Sequence, residues 1–359
     1  MDIAVVLLTV TLYMLPFGFF QLFSGVLSDH YGKSRIILFG CILYSIGALG
    51  CVFSPNIDLL IISRFFQGCG IAFVYPIAFA LGGDIAEPNE KKTIIGRLMA
   101  ADQIGMLLGP PIAGFLIMFN WRFVFLLMAF FSIISIIFNW KLRVPRAMNQ
   151  SGTMQILIRK MLTIGKNRSL QLLCFVSFVF SLSQNGIRDF LGDTLYTDPF
   201  CLKGYQIGLI FAAATLGGII ATQTVPRLSD RIGMKKTYVF GLSTVLLGNL
   251  LYAFSSSFYE FVLSAIIWGH GLTTVSLPLQ VTLVDVLPSS SGAASSLFLG
   301  FRFTAFALSP ILFSPVYSSA GIDIVILACS VLLIICSIPI QLFPKRAQPH
   351  PTIRENSGD

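Results

Sequence analysis

The chain has 359 residues, of which 55% are hydrophobic and only 11% are charged. Soluble domains carry about 25% charged residues, so this composition and the mean hydropathy of +0.83 exclude an ordinary soluble protein. The chain is therefore predicted to be an integral membrane protein, and its net charge of +8 calls for a topological explanation before nucleic acid is considered as a partner.

Eleven apolar stretches are long enough to cross a bilayer, which takes about 20 residues of helix. Their apolar character is continuous and does not alternate as the strands of a membrane barrel must. The sequence therefore predicts an all-α polytopic protein, with spans at approximately residues 4–27, 36–54, 59–81, 97–118, 121–140, 169–190, 206–226, 237–254, 259–284, 293–316 and 322–343.

The Lys and Arg residues are distributed unevenly between alternate loops. If the first terminus is outside, 19 of the 24 lie in inside segments, Arg64 and Arg302 lie within spans, and three lie outside: Arg122, Arg188 and Lys203. The positive-inside rule predicts this orientation. It explains the basic balance without nucleic acid.

An offset of 201 residues recurs along the chain. It relates Asp29 to Asp230, Gly32 to Gly233, Gly68 to Gly269, Gly70 to Gly271 and Asp84 to Asp285. The span at 169–190 has no such counterpart, because subtracting 201 places it before residue 1. These patterns predict a helical bundle over 1–140, a cytoplasmic linker over 141–168 with an amphipathic, lipid-associated helix, a second bundle over 169–343 and a cytoplasmic tail over 344–359.

Residues 25–35, GVLSDHYGKSR, join the first two spans, and a degenerate copy, PRLSDRIGMKK, occupies 226–236. Gly32 allows an unusual dihedral in a short loop, and the cations suit an anionic leaflet. The segment resembles the signature loop of the major facilitator superfamily, although His30 departs from its pattern. The resemblance implies a conformational cluster at the cytoplasmic face, formed by Gly25, Asp29, Gly32, Lys33 and Asp84.

Arg64 and Gln67 belong to the sequence RFFQG on the third span. A charged residue inside a span is costly and usually faces a cavity or a partner, while snorkelling towards the headgroups is the alternative. The segment resembles the R-x-x-Q-G segment found on the fourth helix of the same superfamily. The resemblance implies that Arg64 takes part in proton relay or coupling.

The fourth span carries glycines and prolines at regular spacing, from Gly96 to Gly114. Glycines make a smooth face for another helix, and prolines remove backbone donors and bend the helix. A kinked packing helix would explain them. The pattern also resembles the fifth-helix signature of exporters in the superfamily, which implies conformational roles for Gly105, Gly109, Pro110 and Gly114.

Other polar residues in the spans give weaker indications. His270 and Arg302 lie near the midplane by helical rise, and Asp102 lies one to two turns inside the cytoplasmic end of its span. Arg188 and Asp189 are interpreted mainly as part of the outer surface. The predicted substrate-cavity residues are Gln67, Tyr75, Asp102, Gln103, Gln184, His270 and Arg302, although packing hydrogen bonds would explain these polar side chains equally well.

The resemblance covers essentially the whole chain. It implies the major facilitator fold, two pseudo-symmetric bundles around a central cavity, here with 11 of the usual 12 helices and the first one missing. It further implies the drug:proton antiporter branch: efflux of a small amphipathic solute across the cell membrane, with protons and membrane lipid as partners.

Two alternatives remain beside this hypothesis: an importer of a nutrient or metabolite in the same superfamily, and a degenerate membrane protein that does not transport. The sequence has no phosphate-binding Gly-rich Lys motif, no paired catalytic carboxylates and no metal-ligand cluster. It therefore predicts a protein that is not an enzyme and that uses no cofactor, metal or nucleic acid.

Overall fold

The computed structural model describes residues 3–87, 90–141, 163–286 and 291–337. The predicted amphipathic helix of the linker and the predicted cytoplasmic tail lie outside this part of the chain. The described residues form ten long helices: α1 (Ile3–Tyr31), α2 (Lys33–Phe53), α3 (Ile57–Ile85), α4 (Lys91–Ile117), α5 (Arg122–Lys141), α6 (Arg168–Tyr196), α7 (Gly204–Ile232), α8 (Met234–Phe254), α9 (Phe258–Val286) and α10 (Ser291–Ser337).

The last helix contains two membrane spans. It is continuous over 47 residues except at Gly321, whose φ of 76° lies in the left-handed region that favours glycine. Its apolar stretch of 44 residues is about 66 Å long at 1.5 Å per residue, roughly twice the thickness of a bilayer core. The described helices give ten candidate spans. The two arms of the last one, residues 291–320 and 322–337, correspond to the last two of the eleven predicted spans.

Helix boundaries follow local sequence signals. Gly32 and Gly233 reverse the chain between consecutive helices with φ values of 96° and 83°, as expected for equivalent positions of a repeat. The side chain of Asn56 caps α3 by accepting a hydrogen bond from the Leu59 N–H at 3.0 Å. Asn167 caps α6 in the same way.

The repeat is also visible in how the helices touch. A Cβ atom added at Gly70 would lie 2.5 Å from the backbone nitrogen of Tyr44 on α2, and one added at Gly271 would lie 2.7 Å from that of Val245 on α8. Gly68 and Gly269 likewise meet backbone carbonyl oxygens, on α1 and α7 respectively. Each half therefore has glycines at equivalent helix–helix contacts, which we call glycine seams, where the helix backbones approach closely.

The first half (α1–α5) meets the second half (α6–α10) through two pairs of helices, α1 with α10 and α4 with α7. Thr11 on α1 donates a hydrogen bond to the Ala307 carbonyl at 2.9 Å, and a Cβ at Gly18 would lie 2.9 Å from Phe303 Cβ. Thr215 on α7 contacts the Met106 carbonyl at 3.4 Å. These contacts lie at the middle and at the predicted outer end of the helices.

The predicted inner ends of α1 and α4 differ. At Gly25 on α1 and Gly96 on α4, no described heavy atom lies within 4 Å of the position that a Cβ would take. Between these levels, Gly300 on α10 faces Leu22 on α1, whose side chain would lie 3.0 Å from an added Cβ. The named contacts between the halves therefore run from the predicted outer end to just past the middle of α1, and none of them lies at the inner ends of α1 and α4.

The two halves are unequal in burial. Only 6% of the most apolar window of α4 is buried, against 78% for α6. The offset of 201 makes α4 the counterpart of the first arm of α10, and α10 as a whole packs mainly against α6. Among the described helices, the first half contains no counterpart of α6. That a first helix is missing stays a prediction.

The end of the sixth span was predicted too early. Arg188 and Asp189 were interpreted mainly as part of the outer surface, where this span was expected to end at residue 190. The helix α6 instead continues to Tyr196, and Ser309 on α10 donates a hydrogen bond to the Asp189 carboxylate at 3.0 Å. The Arg188 side chain is exposed and that of Asp189 is half-buried. The acidic and polar residues near the end of α6 ended the apolar stretch but not the helix, so both residues lie about two turns inside it.

Candidate functional site

A polar stripe runs along one face of α6. Its members recur at spacings of three and four residues, which places them on the same side of a helix. Two polar atoms on this face, Ser181 Oγ and Gln184 Nε2, are buried and have no hydrogen-bond partner among the described residues. The stripe comprises Ser177, Ser181, Gln184, Asn185 and Arg188.

Arg302 on α10 lies beside this stripe. Its guanidinium lies 5.5 Å from the ring centre of Phe306, within the range of a cation–π contact. It lines a small cavity of about 10 Å³, together with Ser177, Phe180, Ser181, Ser276, Leu279, Gln280 and Phe298. This volume suits about one water molecule. The helices α6, α9 and α10 thus enclose a small pocket near the predicted midplane, lined by both polar and apolar side chains.

Tyr75 and Asp102 approach this region from the first half. The Tyr75 hydroxyl on α3 donates a hydrogen bond to Asp102 Oδ2 on α4 at 3.4 Å. Tyr75 reaches α10 through aromatic contacts: the Phe17 ring lies 6.4 Å from the Tyr75 ring and 4.2 Å from the ring of Phe303, next to Arg302. Arg188 lies on the same face of α6 as Ser181, which lines the small cavity with Arg302. Tyr75, Asp102, Arg188 and Arg302 therefore bring both halves to one polar region, which we call the central polar site.

A larger cavity lies towards the predicted inner ends of α6 and α10. Its volume is about 670 Å³, and its walls are almost entirely apolar. Its lining residues include Leu170, Cys174, Phe175, Phe178, Leu297 and Phe301. An apolar cavity and a polar site thus occur along the same two helices.

Arg64 is held inside the first half, between α1, α3 and α5. It donates hydrogen bonds to Gln67 Oε1 at 2.8 Å and to the Thr9 carbonyl at 3.4 Å. Its guanidinium lies 4.3 Å from the ring centre of Tyr13 and 5.6 Å from that of Phe125. Gln67 is fully buried. The described carboxylates include no salt-bridge partner for Arg64.

His270 links two helices of the second half. Its Nε2 lies 3.2 Å from the Thr224 hydroxyl on α7, and its Nδ1 lies 3.4 Å from the Thr274 hydroxyl on α9. Both ring nitrogens therefore have a threonine neighbour. Gln103 is half-buried on α4 and Gln184 is buried on α6.

The glycine motif of α4 divides into two parts. Gly114 packs against the backbone of Gly204 on α7, and a Cβ at Gly208 would lie close to the Pro110 carbonyl. Gly105 and Gly109 are exposed, with no described heavy atom within 4 Å of an added Cβ. Part of the motif therefore joins the two halves, and part faces open space.

The predicted cluster at the cytoplasmic face is only partly assembled. Lys33 at the start of α2 forms a salt bridge with Asp84 near the end of α3. Asp29 is exposed and forms no salt bridge within the described ranges. The ion pair ties α2 to α3 beside the turn at Gly32, so it lies within the first half.

Comparison with known families accounts for this architecture. Two overlapping segments, residues 1–192 and 173–358, match the profile of the Major Facilitator Superfamily. The chain belongs to the major facilitator superfamily. The first match covers the first half and continues into α6, and the second match begins within α6 and covers the rest of the second half.

Relatives within the superfamily carry several substrate names. The chain is 25% identical to the riboflavin transporter RibZ of Clostridioides difficile (strain 630), over 87% of this chain and 79% of that protein. It is 24% identical to a probable sugar efflux transporter of Helicobacter pylori (strain G27), over 84% and 76% respectively. A segment is 38% identical to a multidrug resistance protein B homolog of Mycobacterium tuberculosis (H37Rv), over 34% of this chain and 23% of that protein.

Solved structures show the same fold. A crystal structure of the nucleoside transporter NupG, in its D323A form, superposes with a TM-score of 0.82 at 13% identity, covering 96% of this chain and 92% of that one. This confirms the predicted fold, an all-helical transporter of the major facilitator type.

Sequence reasoning did not single out Ser181 of this major facilitator protein. It interpreted Arg188 mainly as part of the outer surface, because the predicted span ended too early. Ser181 carries no charge, and a serine in a membrane helix usually bonds its own backbone. The spacing of Ser177, Ser181, Gln184 and Arg188 on one helical face was the available signal.

We expect Asp84→Asn to slow transport by several-fold and to change the free energy of unfolding by less than about 1 kcal/mol, because the ion pair with Lys33 is partly exposed. Initial transport rates and melting temperatures of the purified variant would measure the two effects. Exchanging the charges, Lys33→Asp with Asp84→Lys, should restore part of the rate.

Asp285→Asn is the matched control. Asp285 is the exposed repeat counterpart of Asp84, but Met234 stands where the first half has Lys33. Its substitution should leave the transport rate unchanged. Equal losses in the Asp84 and Asp285 variants would argue against a role for the ion pair.

Proposed function

We propose that the protein is a proton-coupled exporter that moves a small amphipathic solute out across the cell membrane by alternating access. The observation that carries this proposal is the arrangement of the halves. Their named contacts along α1–α10 and α4–α7 run from the predicted outer end to just past the middle of the helices, and the central polar site lies near the predicted midplane. Such a molecule can alternate by rocking one half against the other.

An amphipathic solute fits the surfaces described above. The apolar cavity of about 670 Å³ between α6 and α10 suits an apolar body, and the polar stripe on α6 suits a smaller polar part. The cavity lies at the predicted cytoplasmic ends of its helices, which favours loading from the cytoplasm.

Export is supported by the fourth helix and by relatives. The spacing from Gly96 to Gly114 resembles the exporter signature of the drug:proton antiporter branch, and two relatives carry the words efflux and multidrug resistance in their names. Coupling to protons rests on Arg64, a half-buried charge within a predicted span whose described neighbours include no paired acid.

Reconstituted vesicles would test direction and coupling together. The purified protein would be placed in liposomes of one fixed orientation, with a pH gradient of either sign and fluorescent amphipathic amides as solutes. We expect accumulation against the solute gradient only when protons can move in the opposite direction.

Two other outcomes would contradict export. Transport in the same direction as the protons would indicate an importer, the alternative that the name of the riboflavin transporter keeps open. Absence of both gradient-driven accumulation and solute exchange would indicate a membrane protein that does not transport.

A further inference from the structure

We propose that Arg188 and Arg302 together bind an anionic group, and that the transported solute therefore carries a carboxylate or similar anion on its apolar body. This inference rests on the proposed transport function and adds the class of substrate. It assigns two residues from different helices, α6 and α10, to one binding site.

The two arginines form no ion pair among the described residues. Neither forms a salt bridge or a hydrogen bond with any residue in the described ranges. Arg188 lies on the face of α6 that carries Ser181, and Ser181 lines the small cavity together with Arg302. Arg302 is half-buried and Arg188 is exposed. Two neighbouring guanidinium groups in a membrane protein repel each other and are costly to keep without counter-charges. A bound anion would interact favourably with both.

None of the charged or titratable neighbours forms an ion pair with these arginines within the described ranges. Asp189, next to Arg188 on α6, lies within electrostatic range of Arg188. Its carboxylate accepts a hydrogen bond from Ser309 and forms no salt bridge with either arginine. Asp102, in the first half, accepts a hydrogen bond from the Tyr75 hydroxyl. Tyr252 on α8, which lies within electrostatic range of Arg188, is a phenol.

Unpartnered polar atoms provide an independent observation. Ser181 Oγ and Gln184 Nε2 are buried without a hydrogen-bond partner among the described residues, on the same face of α6 as Arg188. Ser181 also lines the small cavity with Arg302. A hydroxyl and an amide N–H₂ can both donate to an anion, so the site offers neutral donors beside its two cations.

The size of the cavity limits what enters it. About 10 Å³ holds one water-sized group, so a single oxygen of the anion would occupy it in place of water. Arginine presents a planar fork that suits carboxylate or phosphate oxygens. The rest of the solute would lie outside this small pocket, near aromatic side chains such as Phe306.

Binding of matched probes would test the inference. The full-length protein in nanodiscs of phosphatidylcholine would be titrated calorimetrically with naphthalene-2-carboxylate, its carboxamide and 2-naphthylmethylamine. We expect the carboxylate to bind about 10- to 100-fold more tightly than the carboxamide, as for hydrogen bonds to charged groups. Arg302→Gln and Arg188→Gln should each remove most of this preference, and Arg302→Lys should keep part of it.

Arg168→Gln is the control, because Arg168 is an exposed cation at the inner end of α6 and should leave the preference unchanged. Melting temperatures identify variants that fail to fold. If a glutamine variant fails, Arg302→Lys still tests the inference, because it should retain part of the preference for the carboxylate. Equal affinities for the three probes, or an unchanged preference in both glutamine variants, would overturn the inference.

A second arm separates a solute from a lipid headgroup. Phosphatidylglycerol would be added to the nanodiscs. If it raises the melting temperature of the wild type but not of the glutamine variants, and the carboxylate has no effect, the site binds lipid and the assignment to a solute is wrong. Export of an amide without any preference for the carboxylate would overturn this inference alone. Anion binding without any transport would instead contradict the proposed function.

Discussion

Arg64→Ala is expected to abolish proton-driven accumulation of solute in reconstituted vesicles. The guanidinium contacts α1 through Thr9 and Tyr13, α3 through Gln67 and α5 through Phe125. Removing a charge from the interior of a membrane bundle changes the electrostatic environment of any group that binds protons nearby. Because solute and proton are coupled through a shared protein state, loss of that charge should separate their movements.

Arg64→Lys should rescue accumulation partially. Lysine keeps the positive charge and can lie over the Tyr13 ring, but it cannot make the planar contacts of a guanidinium. Solute exchange without a pH gradient provides the control measurement. A coupling role predicts that Arg64→Ala keeps exchange and loses accumulation, whereas loss of both indicates a structural role. Accumulation at the wild-type level would show that Arg64 is not needed for coupling.

Gly114→Ala is expected to reduce turnover by about one order of magnitude. The added methyl group would meet the backbone carbonyl of Gly204 on α7, where the halves join at the outer side. Overpacking typically costs about 1–3 kcal/mol, and here the cost falls on the outer-closed state. Each 1.4 kcal/mol changes the population of a state about tenfold.

The outer side should then become more accessible. A cysteine at Thr215, in a background with Cys201→Ser, would report access to an impermeant thiol reagent, since the six other cysteines are buried. Labelling should be faster with Gly114→Ala.

Gly96→Ala is the control because the structure leaves room for a Cβ there. It should label and transport like the parent. If Gly114→Ala also behaved like the parent, the α4–α7 contact would not limit turnover.

The sequence predicted the spans well because a bilayer demands long apolar helices. The repeat of 201 residues was equally visible, since glycines such as Gly70 and Gly271 meet the same kind of seam in each half. Helix ends were less predictable. The helix α6 continues past Arg188 because a helix can carry polar residues wherever they face a cavity or other protein groups.

The site was harder to predict than the fold. Arg302 and Tyr75 were visible as polar residues in apolar spans, but their shared region depends on how the two halves meet. Gln67 was expected in the substrate cavity, yet it is fully buried beside Arg64 and Cys51. Its position as a substrate residue stays a prediction, because hydropathy does not indicate which side of a helix faces a cavity.

The glycine seams have a consequence for the diversification of such proteins. At Gly40, Gly68, Gly70 and their counterparts, the fit depends on the absence of a side chain. Few positions therefore need to be preserved to keep each half intact, and the polar stripe of α6 can change its side chains without altering the seams. A scaffold of this kind can keep its shape while most of its sequence changes, as the TM-score of 0.82 at 13% identity illustrates.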